Sequence, residues 1–469
     1  MPDNQILLAL LPEHLLLLGM LTLIVLSLGR RGVVTAVALG VGSVAVLGAV
    51  AAAFVLAAQG TNASLFDGQL LVTPGVYVTK GLLLALSIPV LLMSRTDFEG
   101  AEFPLLLLSS LYGLSLLPSA QSALVLFLGL EMLSVPVYAL IVLAMRRAES
   151  AEAALKYLVL SGTASAVFLM GIALLYGTTG SMQVSAVAQA MTMADPVATT
   201  ALVLVVAALF LKGAVVPFHG WAPDTYEGAS VPVTAYMATL SKAAVLVVGL
   251  QLFQGVTVQG PLVQLLAVLP LVSIVWGNVA AMRQDSLRRM IAYSSIAHAG
   301  YLFYAFLGDP ATRSDAVVFY LVTYAAGNLL AFAALPPHAN DVSRDALGSL
   351  DGLFRHRPIA AGLMAVAMFS LAGLPPFPGF TAKFLIFRTV VAAGYPVYAV
   401  LGLVGSFLGL FFYLRVVQRL FMRPVAEGML PAAGQPMLPG DGLSRTAGVL
   451  CGVATLLLTL VPGWILSRV

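Results

Sequence analysis

The sequence predicts an all-α polytopic membrane protein with about fourteen transmembrane helices, including two inverted five-helix repeats that each carry one broken helix. Three observations lead there. The 469 residues are 60% hydrophobic and 9% charged, with a mean hydropathy of +1.00, whereas soluble domains carry about 25% charged residues. Apolar runs of roughly 20 residues succeed one another through short connections, and no hydrophilic stretch is long enough for a soluble domain. Two of the runs are interrupted by prolines beside a lysine. The net charge of +3 is spread over loops, which bears on membrane orientation and not on nucleic-acid binding. A single cysteine, Cys451, excludes an internal disulfide and a cysteine-ligated iron–sulfur cluster within the chain.

In order along the chain, spans are predicted over 5–29, 33–58, 75–94, 100–117, 120–145 and 149–177, then a broken helix over 197–228 and a span over 230–255. The second half gives 260–282, 286–307 and 312–336, a second broken helix over 358–390, then 394–421 and 443–466. The first run, Ile6–Leu28, exceeds a signal-peptide core and lacks a basic leader, so it reads as a retained helix. Residues 1–99 hold the first three helices, 100–255 the first repeat, 260–421 the second, and 443–466 the last helix.

Arginines support this division, because cytoplasmic loops collect them. Arg30, Arg31, Arg95, Arg146, Arg147, Arg283, Arg288, Arg289, Arg344, Arg355, Arg357, Arg423 and Arg445 all follow odd-numbered helices. The opposite side has Arg313 and Arg468, so both termini are expected on the non-cytoplasmic side. The broken helices lie five helices apart, an odd spacing that turns the second repeat upside down relative to the first.

All five lysines, Lys80, Lys156, Lys212, Lys242 and Lys383, fall inside or at the edge of predicted helices. Arginine keeps its charge and suits a loop, whereas a desolvated lysine can release its proton. A lysine at the centre of a bilayer helix costs ~2.5–3.5 kcal/mol on insertion scales and by default marks an ion or proton path. Lys212 stands in an apolar run just before Pro217, His219 and Pro223. Lys383 follows Pro375, Pro376 and Pro378 in SLAGLPPFPGFTAKF. Among the carboxylates, Glu131 alone is expected deep in a span and needs a buried partner, for which Lys212 is the choice. A static ion pair is the plainer alternative. Lys242 is expected in line with Lys212 and Lys383, or as a structural lysine held by carbonyls. Lys156 has Glu152 four residues before it, the spacing of an ordinary helical salt bridge, and is otherwise a relay candidate. Lys80, near a helix start, is expected to snorkel to the interface.

His219 can exchange hydrogen bonds with carbonyls freed at the first break. His298, with Ser294 and Tyr301, makes one polar stripe, and Tyr320, Tyr324 and Asn328 another. Such stripes either carry protons along ordered water or hydrogen-bond helices together. His14, His338 and His356 are terminal or loop-borne and receive no role. There is no P-loop, dinucleotide fingerprint, HExxH or histidine spacing for a metal.

The segments LGLEMLSVPVYAL, EAALKYLVLSGTASAVFLMGIALLYGTTGS, FLKGAVVPFHGWAPDTYEGASVPVTAYMATLSK, LRRMIAYSSIAHAGYLFYAF and LAGLPPFPGFTAKF resemble the antiporter-like, proton-pumping subunits of respiratory complex I. ALKY, APDTYEGASVPV and a lysine at 383, where a sister branch has glutamate, are most similar to the subunit N branch of that family. The resemblance implies that Glu131 and Lys212 form the coupling pair, Lys242 the connecting lysine and Lys383 the exit-side lysine, with His298 on the hydrated axis. It implies location in a bacterial cytoplasmic membrane, among other membrane and peripheral complex I subunits, lipid, protons and ordered water. NADH, FMN, iron–sulfur clusters and quinone are expected in partner subunits, with no cofactor or metal in this chain. A subunit of a multi-subunit Na⁺/H⁺ antiporter is the alternative, since it shares the fold and the glutamate–lysine pair.

Overall fold

A computed structural model describes residues 3–29, 33–143, 148–193, 195–335, 346–424 and 441–463. Helices α1 (Asp3–Ala9) and α2 (Leu11–Ser27) form the first apolar run and α3 (Thr35–Ala58) the second. A two-stranded antiparallel ribbon, β1 (Ala63–Leu65) and β2 (Leu70–Val72), precedes α4 (Pro74–Ala85) and α5 (Ser87–Met93). Then come α6 (Glu102–Leu116), α7 (Ala123–Leu143), α8 (Ala148–Thr179), the short α9 (Ala186–Thr192), α10 (Pro196–Gly213), α11 (Trp221–Gly228), α12 (Val231–Tyr236) and α13 (Lys242–Leu252). The rest is α14 (Pro261–Ala281), α15 (Leu287–Tyr304), α16 (Pro310–Ala333), α17 (Pro358–Ala372), α18 (Pro378–Ala392), α19 (Pro396–Met422) and α20 (Asp441–Leu460).

Among the described residues, twelve helices are long and apolar enough to cross a membrane. Two of the fourteen predicted runs hold shorter helices, α2 with 17 residues and α17 with 15. The starts have a local cause. Helices α4, α10, α14, α16, α17, α18 and α19 all begin on proline, whose missing N–H is one of the donors a first turn leaves unpaired anyway. Asp195 and Asp309 cap α10 and α16 by accepting backbone N–H groups.

Burial orders the bundle. Over its most apolar 18 residues, the span Val231–Leu252 is 89% buried, Leu287–Leu307 94% and α16 entirely, against 33% for Gly442–Leu460. The central helices are therefore the ones that carry Lys242, His298, Tyr320 and Tyr324. The two broken helices place Lys212 and Lys383 against this centre by the same device. After α10, Ala214 turns left-handed at φ 59°, and the Leu211 carbonyl, left with a long 3.4 Å bond from the Ala214 N–H, accepts the Trp221 indole N–H at 3.0 Å. After α17, Gly373 turns at φ 79°, and the Ala372 carbonyl accepts from the Lys383 ammonium at 2.8 Å. Carbonyls released inside a membrane need such partners. Gly379 is dictated by space, because any side chain there would collide with the Ser370 carbonyl.

The structure corrects several expectations. The short ribbon is an exception to the all-α architecture. Phe66, Asp67 and Gly68 turn left-handed between its strands, and the Asp-Gly pair is its sequence signal. The first run divides at Leu10, and the third between Ala85 and Ser87. The eighth contains a π-helical turn over Met237–Ser241, directly before Lys242. Arg288 and Arg289 lie in the first turn of α15 and Arg445 within α20, inside the spans predicted over 286–307 and 443–466. Arg30, Arg31, Arg146, Arg147, Arg344, Arg468 and His338 lie outside the described residues.

Lys80 does not snorkel, and Glu131 is not the only carboxylate brought inside. Lys80 is fully buried and donates to Glu13 Oε1 at 2.7 Å, with Glu13 itself 1% exposed. The sequence hides this pair because Glu13 lies in the first turn of α2 and Lys80 near the start of its predicted span, and tertiary packing covers both. Tyr77 lies beneath the ammonium and donates its hydroxyl to the Ala9 carbonyl at 2.8 Å, tying α4 to α1. Removing one partner of a buried pair strands the other charge, at about 3–5 kcal/mol. Thermal unfolding of the purified protein should therefore show Lys80→Ala destabilised by roughly that amount. The double change Glu13→Leu with Lys80→Met should recover most of the loss; an undiminished loss would contradict the pairing.

Candidate functional site

The site is a row of buried polar groups assembled from both broken helices and the central spans. At one end, the Lys212 ammonium on α10 donates to Glu131 Oε1 on α7 at 3.1 Å and to Ser161 Oγ on α8 at 3.1 Å. Ser165, one turn beyond Ser161, donates a short hydrogen bond to the same Glu131 oxygen. The Lys212 side chain is 6% exposed and that of Glu131 26%. Three helices thus hold one carboxylate against one ammonium, with two serine hydroxyls fixing their geometry.

From Lys212, a cavity of about 20 Å³ leads to Lys242, with Ser134, Ser161, Tyr157 and Ser241 on its walls. It is large enough for a single water, which needs roughly 10–15 Å³. Lys242 then donates to the Ser295 carbonyl of α15 at 2.6 Å. The π-turn before Lys242 inserts an extra residue into its helix, a distortion frequent at functional positions.

One turn past Ser295, whose carbonyl holds Lys242, stands His298, and Tyr301 lies between its imidazole and Lys383. Its Nδ1 is 2.8 Å from the Tyr320 hydroxyl and its Nε2 3.1 Å from that of Tyr413. The Tyr413 hydroxyl makes a short hydrogen bond with Ser294. Tyr301 and Tyr324 flank the imidazole, with ring centroids at 5.7 and 4.7 Å. Lys383 closes the row, 5.1 Å from the centroid of the Tyr301 ring, donating to the Ala372 carbonyl and, at 2.9 Å, to Ser406 Oγ. Tyr301 is held by Asn278, whose amide also reaches the Gly405 carbonyl.

Glu131, Lys212, Lys242, His298, Tyr301, Tyr324 and Lys383 are therefore brought into one row. Lys156 and His219 stand apart from it. Lys156 pairs with Glu152 at 2.7 Å, the partner its spacing predicts, and with Asp224 at 2.6 Å. Asp224 and Glu227 are bridged in turn by Arg289. His219 sits beside the exposed Trp276, whose indole N–H donates to its Nε2 at 3.0 Å. Sequence reasoning misses Ser161, Ser165, Ser295, Ser406 and Tyr413. The i, i+4 spacing of Ser161 and Ser165 was a usable signal; Tyr413 had none, because only folding brings α19 to α15. Among the described residues, no three His, Cys, Asp or Glu side chains group as a metal site requires.

Residues 120–409 match the family model described as "NADH:quinone oxidoreductase/Mrp antiporter, TM". The chain is 35% identical over 473 residues to NADH-quinone oxidoreductase subunit N of Pelobacter propionicus, covering 99% of this chain and all of that one. The chain belongs to the NADH-quinone oxidoreductase subunit N family. A second member, subunit 14 of the Thermus thermophilus enzyme, is 40% identical over 365 residues, covering 78% of this chain and 79% of its own. A chain of respiratory complex I from Thermus thermophilus, solved with bound aureothin, superposes with a TM-score of 0.82 at 34% identity, covering 97% of this chain and 98% of that one. A chain of the Mrp complex from Dietzia gives 0.83 at 22% identity, covering 99% and 96%, a likeness of fold alone.

The serine hydroxyls give this geometry a direct test. Ser161→Ala with Ser165→Ala removes two hydrogen bonds to charged groups, each worth roughly 1.5–3 kcal/mol. Proton translocation in membranes containing the double variant should fall at least about tenfold with assembly intact. Unchanged translocation would show that the serines do not set the pair.

Proposed function

We propose that this multi-pass chain, a membrane subunit of an NADH-quinone oxidoreductase, translocates protons along the row from Glu131 to Lys383 and carries no redox centre of its own. NADH, FMN, iron–sulfur clusters and quinone belong to partner membrane and peripheral subunits in this reading. The chain contributes a proton path through lipid, completed by ordered water. It lies in a bacterial cytoplasmic membrane with both termini on the non-cytoplasmic side, and the two five-helix units with their broken helices are inverted copies.

The observation that carries the reading is the succession itself: Glu131 on Lys212, the small cavity from Lys212 to Lys242, then His298 and Lys383, all within helices of one bundle. Intramembrane charges are expensive and mark ion or proton paths. Further groups beside the row, Ser241 Oγ and Ser370 Oγ, have no protein hydrogen-bond partner among the described residues. Buried polar groups of that kind are satisfied by internal water, which also conducts protons.

The mechanism follows from the ion pair. Glu131 stabilises the ammonium form of Lys212 while the two are within 3.1 Å. Moving a charge against roughly 150–200 mV costs about 4 kcal/mol, so the proton affinity of the site must swing by that much between loading and release. Separating a carboxylate from an ammonium in a low-dielectric interior supplies a change of that size. With Glu131 withdrawn, the proton passes through the cavity to Lys242, and from there along the His298 side chain and its tyrosines to Lys383.

Lys212→Ala and Glu131→Ala should each lose most NADH-driven proton translocation in membranes where assembly is verified. Wild-type translocation in both variants would contradict the proposal.

A further inference from the structure

The second broken helix also builds a surface that faces outward from the bundle. On the outside of the bundle, between α18 and α19, lies a groove of about 630 Å³, inside the roughly 300–1,000 Å³ range of ligand sites. Phe380, Phe384 and Arg388 follow at four-residue intervals and so form one stripe along α18. The two phenylalanine rings are stacked at 6.5 Å. Across the groove, α19 presents Val400, Leu403 and Phe407 at helical spacing, and all six side chains are exposed.

The groove has a direction. Midway along it stand Lys383 and Ser406, which are hydrogen-bonded to each other and belong to the row, with Phe380 and Phe407 beyond them. Its outer end is at Arg388, five residues or ~7.5 Å further along α18, one turn before that helix ends at Ala392. Arg388 has no ion pair or hydrogen bond among the described residues. Asp309, whose backbone N–H donates to the carbonyl of Thr389 next to Arg388, is engaged in capping α16 through the Ala311 N–H. Just beyond the groove, Tyr395 and Tyr398 stand as a pair with ring centroids 6.3 Å apart. Tyrosines collect at the level of lipid headgroups.

An exposed arginine with no counter-charge, at the end of an apolar stripe on a membrane helix, calls for an anion with an apolar tail. We propose that this groove is a binding site for an anionic phospholipid. Its phosphate is held by Arg388, and one acyl chain lies between Phe384 and Leu403 and reaches Phe380 and Phe407. Guanidinium and phosphate match as a planar donor fork and a set of acceptor oxygens. The order of the site, charge near the helix end and apolar walls running inward, is the order of a lipid molecule.

Electron cryo-microscopy of the assembled complex in nanodiscs of mixed phosphatidylglycerol and phosphatidylcholine tests this, together with mass spectrometry of the retained lipid. Wild type and Arg388→Lys should show lipid density in the groove with its phosphate on residue 388. Arg388→Gln should lose that density and one equivalent of phosphatidylglycerol per complex, and Leu403→Trp, which fills the groove, should lose both while Arg388 remains. Retained density and lipid in Arg388→Gln, equal occupancy by phosphatidylcholine, or a neighbouring subunit's helix in the groove would each overturn the assignment.

Discussion

A charge inside a bilayer has to be met by another charge or by aligned dipoles, and the whole bundle is arranged around that requirement at Lys212. Its ammonium is nearly inaccessible, and it is met by Glu131 and Ser161 from two other helices. Desolvating both members of such a pair costs several kcal/mol each, and their attraction offsets this only with good geometry and further hydrogen bonds. Ser165 supplies one of these to the carboxylate. In the proposed mechanism the pair is responsive: a displacement of Glu131 would change the proton affinity of Lys212 by an amount comparable to the membrane potential.

The broken helices follow from the same constraint. A continuous helix through Lys212 or Lys383 would keep every carbonyl occupied and leave the ammonium with apolar neighbours. Breaking the helix beside each lysine releases carbonyls and lets polar groups gather at membrane depth. In the second break the lysine itself satisfies the released carbonyl of Ala372, while in the first the Trp221 indole does so at Leu211 and the lysine is free to pair with glutamate. One device therefore has two chemical outcomes. A lysine opposite a carboxylate has a partner that can be withdrawn, whereas a lysine opposite a carbonyl and Ser406 has a fixed one.

Much of this is legible in the sequence, because membranes make sequence patterns strict. Apolar runs of spanning length locate nearly every helix to within a few residues, and proline clusters beside Lys212 and Lys383 locate both breaks. Glu131 stands out as the carboxylate farthest from any helix end, which leads directly to its contact with Lys212. The Glu13–Lys80 pair is not legible in this way. Glu13 lies in the first turn of α2 and Lys80 near the start of its predicted span, where snorkelling is the ordinary expectation for a lysine, and only the packing of α1, α2 and α4 covers them. The π-turn before Lys242 leaves no sequence signature at all, since the residues Met237–Ser241 suit an α-helix equally well. Tyr413 joins His298 from 115 residues away, and nothing local in α19 announces that contact.

The central claim is that Lys212 works by gaining and losing a proton, beyond neutralising Glu131. Replacement by arginine separates the two roles, because a guanidinium keeps the ion pair and does not release its proton in a protein. Proton translocation per NADH oxidised should be measured for the assembled complex carrying Lys212→Arg, reconstituted into sealed vesicles. The account predicts a lowered ratio with the complex stable and correctly assembled; a wild-type ratio would contradict it and reduce the pair to a static element of the bundle.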